Sequence, residues 1–99
     1  MSSASSIAIS GLSAAQWRLA SAAHNIANAA TPGFRRQVVQ QATRADGGVA
    51  TTLERVPAPG ADLAGDIVGQ MMAAYAFEAN LGVIRTEDRM VGSLLDLHA

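Results

Sequence analysis

Apolar residues recur at intervals of three and four near both ends of the chain, which is the spacing of an α-helix with one buried face. The first such stretch spans residues 5–30, and its positions are Ile9, Leu12, Gln16, Leu19, Ala23, Ile26 and Ala30. Leu12, Leu19 and Ile26 lie seven residues apart, the interval of coiled-coil contacts. Because a residue before proline is pushed out of the helical region, Thr31-Pro32-Gly33 predicts that this helix ends near Ala29 or Ala30.

The second stretch, residues 62–97, carries two apolar stripes. One consists of Val68, Met72, Tyr75, Ala79, Val83, Met90, Leu94 and Leu97, and the other of Ile67, Met71, Ala74, Leu81, Ile84, Val91 and Leu95. Two stripes exceed the single face of about 100° that a surface helix buries, so burial on two sides is expected. Gly69, Gly82 and Gly92 lie inside this helix and indicate either close approach of another helix or a kink near Gly82.

The residues between the two stretches favour a turn followed by a short β-hairpin. Pro32 and Gly33 suit the central positions of a type II turn. Val38-Val39 and the segment 49–56 have strand character, and Asp46-Gly47-Gly48 between them is a hairpin turn signal. The run Pro57-Ala58-Pro59-Gly60 ends the second strand.

These patterns predict a mainly α fold: two long terminal helices pair as an antiparallel helical hairpin, coiled-coil-like, with a small β-hairpin or extended segment between them. The expected single domain, residues 1–99, contains an N-terminal helix at 5–30, a turn and β-hairpin-like insert at 31–60, and a C-terminal helix at 62–97. Apolar residues make up 49% of the chain but aromatics only 4%, so alanine dominates the apolar content. Alanine favours helices that pack closely, including against helices of other copies.

Charge and cysteine content exclude several partner classes. Seven arginines, no lysine and eight acidic residues give a net charge of −1. The chain therefore has no excess positive charge that would attract nucleic acid or an anionic membrane. Arg35-Arg36 is the only adjacent basic pair, and both side chains are expected to be solvated. Without cysteine the chain has no disulfide or thiolate metal site. The longest apolar run, residues 71–77, is far below the roughly 20 residues that span a bilayer.

No motif predicts an enzyme, a cofactor or a metal site. His24 and His98 have no acidic partners at ligand spacing. Asp62 and Asp66, four residues apart, are expected to cap the last helix rather than to act in acid–base chemistry. Trp17 is expected to be a packing anchor.

Four polar residues within the apolar helices are interpreted as structural: Asn25, Asn28, Asn80 and Thr86. An asparagine in a helical interface can fix register. Asn28 also suits a role at the helix C-terminus, just before the Pro-Gly turn.

Two segments resemble the rod, hook and hook-associated proteins of the bacterial flagellum. The string Asn25-Ile26-Ala27-Asn28-Ala29-Ala30-Thr31-Pro32-Gly33-Phe34-Arg35 is similar to the N-x-A-N-x-x-T-P-G-[FY]-[KR] signature that ends the family's N-terminal helix. Upstream, Ser10-Gly11-Leu12-Ser13-Ala14 resembles the family's usual start, although His24 stands where the family often has Asn or Asp. The family's closing helix is resembled by Phe77-Glu78-Ala79-Asn80, Val83-Ile84, Thr86, Asp88, Met90 and Leu94-Leu95.

The resemblance implies a structural subunit of the flagellar basal body rod that self-assembles through its terminal helices after type III export. Its implied partners are other copies, other rod or hook-type subunits and the export apparatus, with no nucleic acid or small-molecule substrate. The implied location is the periplasm-spanning rod. Residues 1–10 lack the features of a Sec-type signal peptide, so export is expected without a cleaved signal. The middle segment is shorter than in most members and most resembles the short proximal-rod type.

The expected interface residues come from both terminal segments. They are Leu12, Leu19, Asn25, Ile26, Asn28, Phe77, Asn80, Val83, Ile84, Met90, Leu94 and Leu95, with Thr31, Pro32 and Gly33 forming the turn. The alternative is a small helical-hairpin adaptor or secreted partner-binding protein. Proteins of that kind usually join their helices by a short turn, whereas this chain has an insert of about 30 residues with strand character.

Overall fold

The computed structural model describes residues 4–98 and contains two helices and two strands. Their order is α1 (Ala4–Ala27), β1 (Gln37–Thr43), β2 (Val49–Arg55) and α2 (Leu63–His98). The prediction of a mainly helical chain with a small antiparallel β-hairpin between the helices is therefore confirmed. The molecule is elongated, with extents of 63 × 25 × 13 Å, because α2 alone is 36 residues long.

The helix α1 ends at Ala27, three residues before the predicted limit of residue 30, because the backbone hydrogen bonds there change from a four-residue to a three-residue spacing. Asn28 N–H still donates to the carbonyl of His24, but Ala29 N–H donates to Ile26, only three residues back. The chain then turns at residues 31–34, where Phe34 N–H donates to the carbonyl of Thr31 at 3.3 Å. Gly33 takes a φ of +73°, which the third residue of a type II turn requires and which glycine adopts without strain.

The hairpin lies along α1 and is held to it at both ends. Its strands pair from Gln37–Arg55 to Thr43–Val49. Near the tip, Val49 N–H donates to the hydroxyl of Ser10 on α1 at 3.1 Å. The helix α1 is thus covered on two sides, by α2 and by the hairpin, whereas α2 packs on α1 and on neither strand within the described chain.

The helix α2 begins at a side-chain cap and continues without a break. Asp62 Oδ1 accepts a hydrogen bond from Gly65 N–H at 3.2 Å, which satisfies one of the free donors of the first turn, as predicted for this residue. Beyond the cap, α2 passes through Gly69, Gly82 and Gly92 as one continuous helix, so it has no break near Gly82.

Small side chains make up the buried core of the described residues. Its apolar members are Ala8, Ala14, Ala15, Ala22 and Ala73, and its polar members are Ser21, Asn25 and Asp66. The predicted large stripes lie elsewhere: Leu12, Leu19 and Ile26 are only half-buried, and most members of both α2 stripes are exposed. The expectation that two sides of α2 are buried does not hold within one chain, because α1 covers a single face of α2.

Candidate interaction surface

The contact between α1 and α2 is a seam of alanines with polar contacts along it. Ala8, Ala15 and Ala22 recur every seven residues on α1, and Ala73 on α2 is 0% exposed. Near the start of α1, Ser5 Oγ donates to Glu87 Oε2 at 2.6 Å. These short side chains let the two helices approach closely.

A glycine and an asparagine interlock in the middle of this seam. A Cβ placed on Gly11 would lie 2.6 Å from Oδ1 and 2.8 Å from Cγ of Asn80, so the Asn80 side chain occupies the space that glycine leaves open. Asn80 Nδ2 in turn donates to the carbonyl of Ala76 at 2.8 Å, which fixes its amide. Both residues come from the segments that resemble flagellar proteins, one from each.

A buried polar cluster joins the end of α1, the start of β1 and the first turn of α2. Asn25 pairs with the backbone of Gln37 through two hydrogen bonds of 2.8 Å, donating from Nδ2 to the carbonyl and accepting at Oδ1 from N–H. Asn25 Nδ2 also lies 3.5 Å from Asp66 Oδ1. The predicted interface residue Asn25 therefore holds the hairpin in place inside the chain.

Asp66 and Arg36 complete that cluster, and the expectation that the Arg36 side chain is solvated was wrong. Arg36 donates from Nε to Asp66 Oδ2 at 3.1 Å and from Nη2 to Asp66 Oδ1. The side chains of Arg36 and Asp66 are 22% and 6% exposed, so Arg36 is largely shielded from solvent, and Asp66, in the first turn of α2, accepts hydrogen bonds from Asn25 and Arg36. This hydrogen bond to Asp66 raises the pKa of Arg36, and burial opposes it. The two charges lie 30 residues apart in sequence, so no local pattern indicates their pairing.

The outward side of α2 exposes large apolar side chains along its whole length. They are Leu63, Ile67, Val68, Met71, Met72, Tyr75, Val83, Met90, Val91, Leu94, Leu95 and Leu97. No charged residue occurs from Ile67 to Phe77. We call this set the outer face of α2. This many exposed large apolar side chains on one helix are typical of a site covered by another molecule.

The last turns of α2 extend beyond the described part of α1. Ala4, the first described residue of α1, lines a groove of about 660 Å³ together with Ala79, Gly82, Val83, Thr86, Glu87 and Met90. From Asp88 to Leu97, α2 runs on with Leu94 57% and Leu97 78% exposed. We call residues 88–97 the overhang.

The predicted interface residues fall into three groups in the structure. Asn25 is buried; Leu12, Leu19, Ile26, Asn28, Phe77, Asn80 and Ile84 are half-buried; Val83, Met90, Leu94 and Leu95 are exposed. Thr31, Pro32 and Gly33 form an exposed turn. The half-buried group flanks the alanine seam or the turn, and the exposed group belongs to the outer face of α2.

The alanine seam was not predicted from the sequence, because the prediction followed the large apolar residues and gave little weight to small ones. Ala8, Ala15 and Ala22 recur every seven residues, a signal that the larger Leu12, Leu19 and Ile26 obscured. Trp17, expected to anchor the core, is 46% exposed, and it shares a small apolar hollow with Val39 and Leu53 of the hairpin.

By length and composition α2 could cross a membrane, from Leu63 to Leu97, although this test is also passed by helices of soluble proteins. Its charges argue against a span: the charge-free segment Ile67–Phe77 is 11 residues long, against the roughly 20 that a bilayer needs. A span over residues 67–84 would have to place Glu78 in the hydrocarbon. In residues 4–98 no three His, Asp or Glu side chains are grouped so that they could hold a metal ion.

Comparison with known proteins found a family model that is similar to the N-terminal third of the chain. Residues 6–35 match the family model described as "Flagella basal body rod protein". No curated protein matches the chain. The matched segment contains most of α1, including Gly11 and Asn25, and the turn at residues 31–34. This family is structural rather than enzymatic. The N-terminal segment of the chain is therefore similar to the flagellar basal body rod family.

Proposed function

We propose that this protein is a structural subunit of the bacterial flagellar basal body rod that assembles through its two terminal helices. The family match at residues 6–35 supports the place in the flagellum. The observation that carries the assembly is the outer face of α2, whose apolar side chains remain 43–78% exposed within residues 4–98.

In this proposal residues 1–99 form one domain in which α1 and α2 pair antiparallel. Ser5 contacts Glu87, Gly11 contacts Asn80 and Asn25 contacts Asp66, so residue numbers fall on α2 as they rise on α1. The sums of the paired numbers are nearly constant, as expected for two straight antiparallel helices. Half-buried Leu12, Leu19 and Ile84 flank this pair, as side chains beside a coiled-coil seam do.

The exposed interface residues have a different role, which is contact between subunits. Val83, Met90, Leu94 and Leu95 lie on the outer face of α2, where a neighbouring subunit would cover them. If these contacts join unlike patches of two identical chains, they generate rings or open helical assemblies instead of two-fold dimers. The apolar area removed from water would stabilise the assembly by about 25 cal/mol per Å².

The proposed setting follows from the family. The chain passes through the flagellar type III export apparatus and assembles with other copies and with other rod or hook-type subunits. Its hairpin is only two strands of seven residues, which supports a short, proximal-rod-like member. The proposed function involves no catalysis, cofactor or nucleic acid.

A swimming assay tests this proposal, in cells that lack their own copy of the gene and carry one of the variants. Leu94→Asp puts a charge on the exposed overhang without touching the alanine seam, so we expect export of the variant but no rod assembly and no swimming. Ser93→Asp is the matched control, since it adds the same charge at the neighbouring exposed position with no apolar side chain lost, and we expect it to swim.

Two results of this test would count against the rod. If Leu94→Asp swims as well as Ser93→Asp, the outer face of α2 is not an assembly surface. If a pull-down recovers the chain with a single unrelated protein and shows no contact between copies of the chain, it favours a helical-hairpin adaptor.

A further inference from the structure

The alanine seam by itself does not fix how far α1 and α2 slide along each other. Ala8, Ala15 and Ala22 are identical side chains at intervals of seven residues, so a shift of seven brings one alanine to the place of the next. Such a shift moves the helices by ~10.5 Å along their axes. Small, uniform side chains specify register weakly, because every position offers nearly the same shape.

The contact between Gly11 and Asn80 is the exception along this seam. Asn80 fills the space above the bare Cα of Gly11, where a Cβ would lie 2.6 Å from its Oδ1. Shifted by seven residues in either direction, an antiparallel pair places Asn80 opposite Ala4 or Arg18. Both of those residues have a Cβ, so neither reproduces the space at Gly11.

Three other glycines inside α2 do not share this property. A Cβ on Gly69, Gly82 or Gly92 would meet nothing within 4 Å. A glycine inside a helix lowers its stability relative to alanine, and these three offer no contact that offsets the loss. Gly11 differs because the Asn80 side chain occupies the space that a side chain on Gly11 would take.

We infer that Gly11 and Asn80 form a register lock, which specifies one alignment of α1 and α2 and thereby sets which residues of α2 project as the overhang. Two polar contacts support the same alignment at the ends of the seam, Ser5 with Glu87 and Asn25 with Asp66. A single asparagine in a helix interface is known to fix register at some cost in stability. The inference rests on the antiparallel pairing in the proposed function.

The lock has a consequence for assembly. Slippage by seven residues would lengthen or shorten the overhang by ~10.5 Å and shift the outer face of α2 against α1 and the hairpin. Subunits in different registers could not repeat the same contact. Uniform assembly therefore depends on Asn80 although Asn80 faces α1 and does not reach the neighbouring subunit.

Thermal unfolding of four full-length variants tests the lock. We expect Gly11→Ala to lower the unfolding midpoint, and Gly82→Ala, its matched control in open space, to leave it unchanged or raise it. Adding Asn80→Ala to Gly11→Ala removes the amide that the new methyl group meets, so the double variant should melt higher than Gly11→Ala alone. Circular dichroism follows the helices in each case.

Two outcomes of this series would overturn the lock. One is a Gly11→Ala variant that melts as high as Gly82→Ala. The other is a Gly11→Ala variant that does not fold and is not restored by Asn80→Ala. Recovery of folding by the second substitution supports the lock as directly as recovery of the midpoint.

Spin labels on cysteines introduced at Ser13 and Thr86 report register directly, because the chain has no cysteine of its own and both positions are exposed. With excess unlabelled chain, the native sequence should give one narrow distance distribution. Asn80→Ala should add populations displaced by the ~10.5 Å axial shift of one slip. A single unchanged distribution in Asn80→Ala would refute the lock.

The same labels separate this inference from the proposed function. If the labels at positions 13 and 86 of the otherwise native chain are not as close as an antiparallel helix pair requires, the helix pairing in the proposed function is wrong. If the native distance is as expected and Asn80→Ala leaves it unchanged, only the lock fails.

Discussion

At the scale of single residues, the ion pair between Arg36 and Asp66 connects three elements. Arg36 precedes β1, Asp66 lies in the first turns of α2, and Asn25 at the end of α1 touches the same carboxylate. Because Asp66 is 6% exposed, loss of its partner leaves a buried charge without compensation. Buried pairs broken on one side lose far more stability than surface pairs.

Arg36→Ala is therefore expected to lower the free energy of unfolding by roughly 3 kcal/mol. The neighbouring Arg35 is exposed, so Arg35→Ala is a matched control that should change stability by less than about 0.5 kcal/mol. Urea unfolding followed by circular dichroism measures both. Equal effects of the two substitutions would show that the Arg36–Asp66 pair does not stabilise the fold.

The pH dependence of this pair follows from the direction of the Arg36 shift. Asp66 raises the pKa of Arg36, so the stabilisation is complete at every pH below the ordinary pKa of arginine and is lost only above the raised value. The difference in unfolding free energy between the native chain and Arg36→Ala should stay constant from about pH 6 to about pH 9. A difference that shrinks as the pH rises through this range would contradict the assignment.

At the scale of elements, α1 is enclosed between α2 and the hairpin, and the tightness of the α1–α2 contact depends on alanine. Ala15 is 1% exposed and Ala73 is 0% exposed, which leaves no space for a larger side chain. The helices can then lie close together even though neither has a large buried residue within the described chain.

Ala15→Leu should therefore destabilise the helix pair by about 1–3 kcal/mol, because the added atoms force the helices apart. Ala20→Leu makes the same change at an exposed position of α1 and should alter stability by less than about 0.5 kcal/mol. Thermal unfolding midpoints compare the two. If Ala15→Leu is tolerated as well as Ala20→Leu, the seam is looser than the structure describes.

The elements themselves were predictable from local signals, and their packing was not. Helix periodicity, the Thr31-Pro32-Gly33 turn and the Asp46-Gly47-Gly48 signal located both helices and the hairpin to within a few residues. Which apolar residues are covered within the chain was not predictable, because periodicity does not distinguish burial inside one chain from burial against another copy. In the structure the large side chains Met72, Tyr75 and Leu94 face outward.

The long-range polar contacts also lay beyond sequence reasoning. Arg36–Asp66 and Gly11–Asn80 join residues far apart in the chain, and single-sequence patterns give no distance between them. The sequence indicated that Asn25 and Asn80 could fix register in a helix interface, but it identified no partner for either residue. The structure supplies both partners: Asn25 fixes the hairpin, and Asn80 fits against Gly11.

At the scale of the whole molecule, the central feature is a thin, elongated subunit whose longest helix is covered on one face only. The molecule is 63 Å long and 13 Å thick, and the outer face of α2 extends from Leu63 to Leu97. A chain of this size with an alanine core has little stability to spare as a monomer. Covering the outer face by neighbouring copies would provide the missing burial.

Sedimentation velocity over a concentration series tests this claim most directly. The native chain is predicted to shift from small species at about micromolar concentration to large oligomers or filaments as concentration rises, since contacts between copies stabilise it by mass action. Leu94→Asp should remain small over the same range, and Ser93→Asp should assemble like the native chain. A native chain that stays a single monomeric species at every concentration, and melts cooperatively at micromolar concentration, would contradict self-assembly through α2.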